Sequence, residues 1–122
     1  MALNKKAAEL GSRGESFTVH YLETRGFTIL DRNWRIKEGE IDIVALSPEN
    51  EIVFVEVKTR STADYGDPLE SISSEKLHRL QRLALAWLAT HQRLGNPYRI
   101  DVAGVLLGRS GELSIDYRSR IL

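Results

Sequence analysis

The chain has no cysteine among its 122 residues, which excludes disulfides, thiolate metal sites and a cysteine nucleophile. It also lacks net charge, with seventeen Lys and Arg balancing seventeen Asp and Glu. Such a balance speaks against binding nucleic acid by bulk positive charge. The three histidines, His20, His78 and His91, are scattered without ligand spacing, which disfavours zinc. No apolar run approaches the length of a membrane span, and the opening residues carry no signal-peptide core. A Ser-His-Asp arrangement, a phosphate-binding glycine loop and a dinucleotide fingerprint are also missing. What is present is ordinary globular composition, 42% apolar and 28% charged, at the size of one domain. The expectation is a single cytoplasmic domain over residues 1–122 with no membrane association.

Periodicity predicts a first helix over about 5–25. At about 100° per residue, Ala7, Leu10, Gly11, Gly14, Phe17, Val19, Tyr21 and Leu22 share one arc, and Gly26 suits the helix stop. Strands follow over 27–34, 40–47 and 51–59. The third is apolar on both parities, with Ile52 and Phe54 on one and Val53, Val55 and Val57 on the other, as in a strand covered on both faces. Between the second and third, Ser47-Pro48-Glu49-Asn50-Glu51 fits a type I turn closing a three-residue hairpin. That hairpin pairs Ser47 with Glu51, and counting back sets Asp42 opposite Glu56 and Glu40 opposite Lys58. Residues 60–73 read as a long loop, of the kind that is usually functional or mobile. A second helix over 74–94 is capped by Ser73, buries Leu77, Leu80, Ala84, Trp87 and Leu88, and ends at Gly95-Asn96-Pro97. Strands over 98–107 and 112–117 complete an αβββαββ order, a sheet flanked by helices.

Five charges fall where apolar residues belong. Glu15 lies inside the apolar arc of the first helix, and Asp42 interrupts an apolar strand. Glu56 and Lys58 share a face of the central strand with Ile52 and Phe54, and Glu40 lies nearby. Buried charge is costly unless paired or metal-bound. A structural ion pair is the plain alternative, with Lys58 serving Glu56 and Glu40 or Asp42. Two carboxylates directly opposite on paired strands stand about 4.5–5.5 Å apart at Cβ and repel unless a cation lies between them. One lysine cannot neutralise four carboxylates, whereas a hard divalent cation with oxygen ligands can. Mg²⁺ or Mn²⁺ on Asp42 and Glu56, with Glu15 completing the set, would suit phosphodiester hydrolysis. Lys58, about 6.6 Å beyond Glu56 on the same face, would orient or deprotonate the water or stabilise the phosphate. Glu40 is expected behind the ligands, as a partner of Lys58.

An Asp on one strand, Glu-x-Lys on the next and a Glu on the preceding helix resemble the PD-(D/E)xK nuclease superfamily, with spacing similar to archaeal Holliday-junction resolvases. The segments Gly11–Glu15, Arg32–Arg35, Gly39–Ala45, Val53–Arg60 and Tyr65–Pro68 look like the YraN-like family of bacterial proteins, over nearly the whole chain. Ile41, not proline, precedes Asp42. The resemblance implies an α/β restriction-endonuclease-like αβββαβ core with a mixed sheet, and catalytic roles for Glu15, Asp42, Glu56 and Lys58.

Further candidates could meet nucleic acid. Arg32, Arg35 and Lys37 flank Trp34 in a stretch suited to phosphate contacts and base stacking, or else form an edge strand with Trp34 packed inward. Arg60 and Tyr65 lie in the long loop, and Lys76 and Arg79 lie near the N-terminus of the second helix, where anions are favoured. Three functions fit these residues. One is a Mg²⁺- or Mn²⁺-dependent endonuclease on DNA, including branched or repair and recombination intermediates, with a homodimer gripping two duplex arms. The second is a catalytically silent nucleic-acid-binding module of the same fold. The third is an interaction protein with a buried charge network.

Overall fold

The computed structural model describes residues 2–61 and 66–122. Helix α1 (Ala2–Thr24) leads into β1 (Thr28–Ile36), β2 (Gly39–Leu46) and β3 (Ile52–Ser61). A 3-10 helix (Pro68–Ser71) precedes α2 (Ser74–Thr90), followed by β4 (Tyr98–Leu107) and β5 (Leu113–Arg118). The five strands form one mixed sheet in the order β1-β2-β3-β4-β5. Only the β3–β4 pair is parallel, and α2 supplies its crossover. The expected αβββαββ order and mixed α/β sheet are therefore what the chain adopts. No helix among the described residues is long and apolar enough to cross a membrane.

The central strand is covered on both faces, as its two apolar parities require. Ile52 and Phe54 meet α2 through Leu80, Leu83, Ala84, Trp87 and Leu88. Val53 and Val55 join Ile43, Ala45 and Ala103 under Leu22 of α1. The β2–β3 hairpin closes as expected. Ser47 N–H donates to Glu51 O at 2.9 Å, Asn50 N–H donates to Ser47 O at 2.9 Å, and Asn50 takes φ 67°.

Three expectations change. Ala7 is exposed, so the first turns of α1 extend past the sheet and burial begins around Leu10. Leu77 is only half-buried, while Leu83, absent from the expected stripe, lies in the core at 2% exposure. Helix α2 stops at Thr90, short of Leu94. Gln92 adopts φ 57°, its N–H donates to Ala89 O and the Arg93 N–H donates to Leu88 O. This is a Schellman ending built on glutamine, which terminates the helix before Gly95 is reached.

Candidate metal centre

Glycine packing brings Glu15 to the sheet. A Cβ on Gly14 would lie 1.9 Å from Thr59 Oγ1, so only glycine lets α1 lie this close to β3. Thr18, fully buried, donates its hydroxyl back to Gly14 O at 2.8 Å and completes the contact. The next residue, Glu15, is thereby held half-buried at the sheet.

Beyond the hairpin the expected register holds only part of the way. The paired residues run from Leu46↔Ile52 to Ile43↔Val55 and stop there. The expected Asp42↔Glu56 and Glu40↔Lys58 pairs are not part of the ladder. In its place the Asp42 carboxylate accepts the Val57 N–H at 2.8 Å through Oδ2. A side chain substitutes for a backbone acceptor, and β2 is released from β3 where the acidic residues lie.

One carboxylate oxygen each from Glu15, Glu40 and Asp42 lie within 4.8 Å of one another. This trio has Glu40 in the place expected for Glu56, although Glu56 stays beside Asp42 and shares a hydrogen bond with it. Arg35 stands directly opposite Glu40 across the β1–β2 pair. Its Nε donates to Glu40 Oε2 at 2.9 Å, and its terminal nitrogen also binds that oxygen. Glu40 is thus an Arg35 partner inside the acidic cluster, not a Lys58 partner behind it. Glu56 pairs with Lys76 of α2 at 2.6 Å. Asp42, Glu56, Glu40, Lys76 and Arg79 nevertheless line one cavity of about 190 Å³, closed at its base by Leu80 and Leu83.

The electrostatics match a surplus of negative charge. Burial first, and then the neighbouring Glu56 carboxylate, push the Asp42 carboxyl up to about 8, against the lowering effect of the Val57 N–H. Burial raises the Glu15 carboxyl as well, opposed by a hydrogen bond from Asn33 and reinforced by the charge of Glu40. Asn33 lies between the Arg32↔Ile43 and Trp34↔Ile41 pairs with φ 53°. It was missed as a site residue; the signal was an asparagine inside a strand, a residue that tolerates the left-handed conformation.

Lys58 stands on the face of β3 that carries Glu56, as expected. It lines a neighbouring cavity of about 390 Å³ with Arg60, Asp67, Gly104, Asp116 and Arg118. Strand alternation explains this: Lys58 pairs with Gly104 and Gly104 with Asp116, so these residues form one row across β3, β4 and β5. Pro68 roofs that row, its Cγ 2.2 Å from where a Gly104 Cβ would be. Lys58 follows Glu56 on the same face but opens beside the acidic cavity, not into it.

The remaining candidates divide. Lys76 and Arg79 reach the acidic cavity. Arg32, exposed, donates to Ser16 Oγ at 3.4 Å, and Lys37 is exposed in the β1–β2 turn. Trp34 takes the inward alternative, packing on the α2 core and meeting His91 edge-on at 6.3 Å. Arg60 lines the Lys58 cavity, while Tyr65 lies outside the described residues.

All-oxygen carboxylate donors fit a hard divalent cation such as Mg²⁺ or Mn²⁺. Among the described residues, neither Asp42 nor Glu15 has an ion-pair partner, so the cluster carries uncompensated charge a cation would relieve.

Known proteins place the chain. The family model described as "Uncharacterised protein family UPF0102" matches residues 14–105, a span that contains the whole acidic cluster. A UPF0102 protein of Leifsonia xyli subsp. xyli is 52% identical over 101 residues, covering 83% of this chain and 85% of the relative. One from Clavibacter michiganensis is 45% identical over 108 residues, 88% of this chain and 91% of the relative. Solved structures give only distant likenesses. A repair endonuclease from Pyrococcus abyssi has TM-score 0.38 and 18% identity, covering 82% of this chain and 37% of its own. Pyrococcus furiosus SfsA in complex with Ca²⁺ has TM-score 0.33 and 20% identity, covering 80% and 55%. With the family model spanning most of its length and its sequence matched by the UPF0102 relatives, the chain belongs to the UPF0102 family, the YraN-like proteins.

Proposed function

We propose that this chain is a Mg²⁺- or Mn²⁺-dependent endonuclease that hydrolyses DNA phosphodiester bonds, with branched or repair and recombination intermediates as its substrates. One observation carries the reading: Glu15, Glu40 and Asp42 gather carboxylate oxygens within 4.8 Å, with no ion-pair partner for Asp42 or Glu15 among the described residues. A protein that used these charges only for structure would be expected to balance them.

Asp42, Glu15 and Glu40 would hold the cation. When bound, it supplies Lewis acidity toward a phosphoryl oxygen and acidifies water. The chain's own residues do the rest. Val57 N–H fixes Asp42 through Oδ2. Arg35 restrains Glu40, and Asn33 restrains Glu15. Lys76 and Arg79 at the start of α2 line the acidic cavity and Lys58 on β3 lines the cavity next to it, three cations suited to hold backbone phosphates. Lys58 lies nearest to Glu56 along the strand and is the residue to stabilise charge on the attacked phosphate.

Purified protein incubated with duplex, single-stranded, flap and four-way DNA in Mg²⁺ or Mn²⁺ should cleave at least one substrate. Cleavage should vanish with chelator and fall about 10²–10³-fold in Lys58→Ala. Activity that survives Asp42→Asn would sink the reading. Tight, salt-sensitive DNA binding without cleavage in either metal would assign a silent binding module instead.

A further inference from the structure

Glu56 is the one carboxylate of the acidic cavity that lies outside the trio. Its charge is nonetheless the strongest of those acting on Asp42 and also reaches Glu15, so it is a near neighbour of both. It shares a hydrogen bond with Asp42 and also meets Lys76, whose ammonium lies 2.6 Å from Glu56 Oε2. The pair is no ordinary surface bridge, since the Glu56 side chain is only 12% exposed and that of Lys76 30%. The backbone under Lys76 is pinned, because its N–H donates to Ser73 Oγ at 3.1 Å in the N-cap of α2. Its flexible stem is not, and the shared cavity of about 190 Å³ leaves room for side chains to turn without moving strand or helix. Of the other charges at this cavity, Glu40 is bonded to Arg35, Asp42 accepts the Val57 N–H without a cationic partner among the described residues, and Arg79 lines the wall.

Resting on the metal-nuclease reading above, we propose that Lys76 is a tethered counter-cation that occupies Glu56 until a divalent cation and a substrate phosphate replace it. The ammonium does for Glu56 what a metal would do, by placing positive charge against it in a cavity with surplus negative charge. Glu56, already bonded to Asp42, would exchange its Lys76 partner for the divalent cation without leaving Asp42. The released ammonium stays within reach of the cavity mouth, beside Arg79, where it meets the incoming phosphate. The same lysine therefore serves two anions in succession, its own glutamate and the nucleic-acid backbone. Lys76 is a positioning residue in this scheme: it sets the orientation of Glu56 and the order in which charges are paired.

The device is tested with Mn²⁺ alone, titrated calorimetrically into the full-length chain without DNA. Lys76→Met keeps the aliphatic stem but removes the competitor, and should bind Mn²⁺ about fivefold more tightly than the natural chain. Lys76→Arg preserves the ion pair and should stay near the natural affinity. Glu56→Gln should weaken Mn²⁺ binding, and adding Lys76→Met to it should produce no further gain, because nothing remains to be released. In cleavage assays Lys76→Met should raise KM for DNA more than it lowers kcat. Unchanged or weaker Mn²⁺ binding in Lys76→Met overturns the proposal, as does a gain that persists in the Glu56→Gln background. Thermal melting in saturating Mg²⁺ confirms that each variant is folded, and Lys76→Gln, which also removes the competing charge, carries the comparison if Lys76→Met is not. Tighter Mn²⁺ binding with no cleavage of any DNA would sink the nuclease reading and leave the counter-cation standing. An absence of Mn²⁺ binding in every variant would sink both.

Discussion

Asp42 and Asp101 sit in nearly the same local sequence, Glu40-Ile41-Asp42-Ile43 and Arg99-Ile100-Asp101-Val102, each inside an apolar strand. Their fates are opposite. Asp101 is fully buried and fully served: Arg99 Nε donates at 3.1 and 3.2 Å, the Tyr117 hydroxyl at 2.5 Å and the Arg120 N–H at 2.9 Å. Arg99 and Arg120 both continue to Glu51, so two carboxylates face two guanidiniums. Asp42 instead joins Glu15 and Glu40, accepts one backbone N–H, and has another acid, Glu56, as its side-chain hydrogen-bond partner. The difference lies two residues upstream on the same face of the strand, where one aspartate has an arginine and the other a glutamate. A buried acid whose neighbour is basic becomes part of the frame, and one whose neighbour is acidic needs a cation from outside.

That contrast can be broken most severely through catalysis. Asp42→Asn should lower DNA cleavage about 10³-fold while leaving thermal stability unchanged or raised, since it removes a carboxyl whose ionisation burial and Glu56 oppose. Asp101→Ala should do the reverse, costing about 3–5 kcal/mol in denaturant unfolding because Arg99 is left buried without its main partner. Activity per folded molecule should persist in the Asp101 variant.

Metal should distinguish the two clusters as well. Mg²⁺ or Mn²⁺ at about a hundred times its dissociation constant should stabilise the natural chain by about 2.7 kcal/mol in thermal melts. Glu40→Gln and Asp42→Asn should diminish that shift, and an Asp101→Asn protein should retain it.

Titration offers a smaller effect with a definite sign. The Asp42 carboxyl is raised from 3.8 to about 8 in the folded chain, so the folded state keeps a proton that the unfolded chain has released. Metal-free protein should therefore lose stability as pH climbs from about 4 toward 8, and Asp42→Asn should flatten that decline. Tyr117, pushed up by burial and then by the charge of Asp101, should hold its contribution through this whole window. That contribution is lost only above about pH 10, where an unfolded tyrosine ionises. Smallest of all, Glu51→Gln should cost about 1 kcal/mol, because Arg99 keeps Asp101 and Arg120 is largely exposed.

Much of the site was legible before any coordinates. Asp42, Glu15, Glu56 and Lys58 stand out because charge interrupts apolar periodicity, and the cluster does form around Asp42 and Glu15. The hairpin was legible too, since Pro48 and Asn50 each have strong local preferences. Asp101 was missed although it breaks its strand in the same manner as Asp42. Trp34 could be read either as a stacking platform or as core, and packing against His91 and α2 settled the matter. The membership of the acidic trio was not legible, because it depends on Arg35 and Lys76 reaching Glu40 and Glu56 from separate elements.

By itself the sequence determined the order of elements, the two covered faces of β3, the hairpin turn and the surplus of misplaced acid. These follow from local periodicity and backbone preference, which act over a few residues. Tertiary structure alone decided where the β2–β3 ladder ends, which carboxylates converge and which cations hold the others apart. It also decided that Lys58 opens toward β4 and β5. Those outcomes depend on distances of a few ångströms between residues far apart in the chain, and electrostatic pairing at that range is set by packing, not by spacing along the sequence.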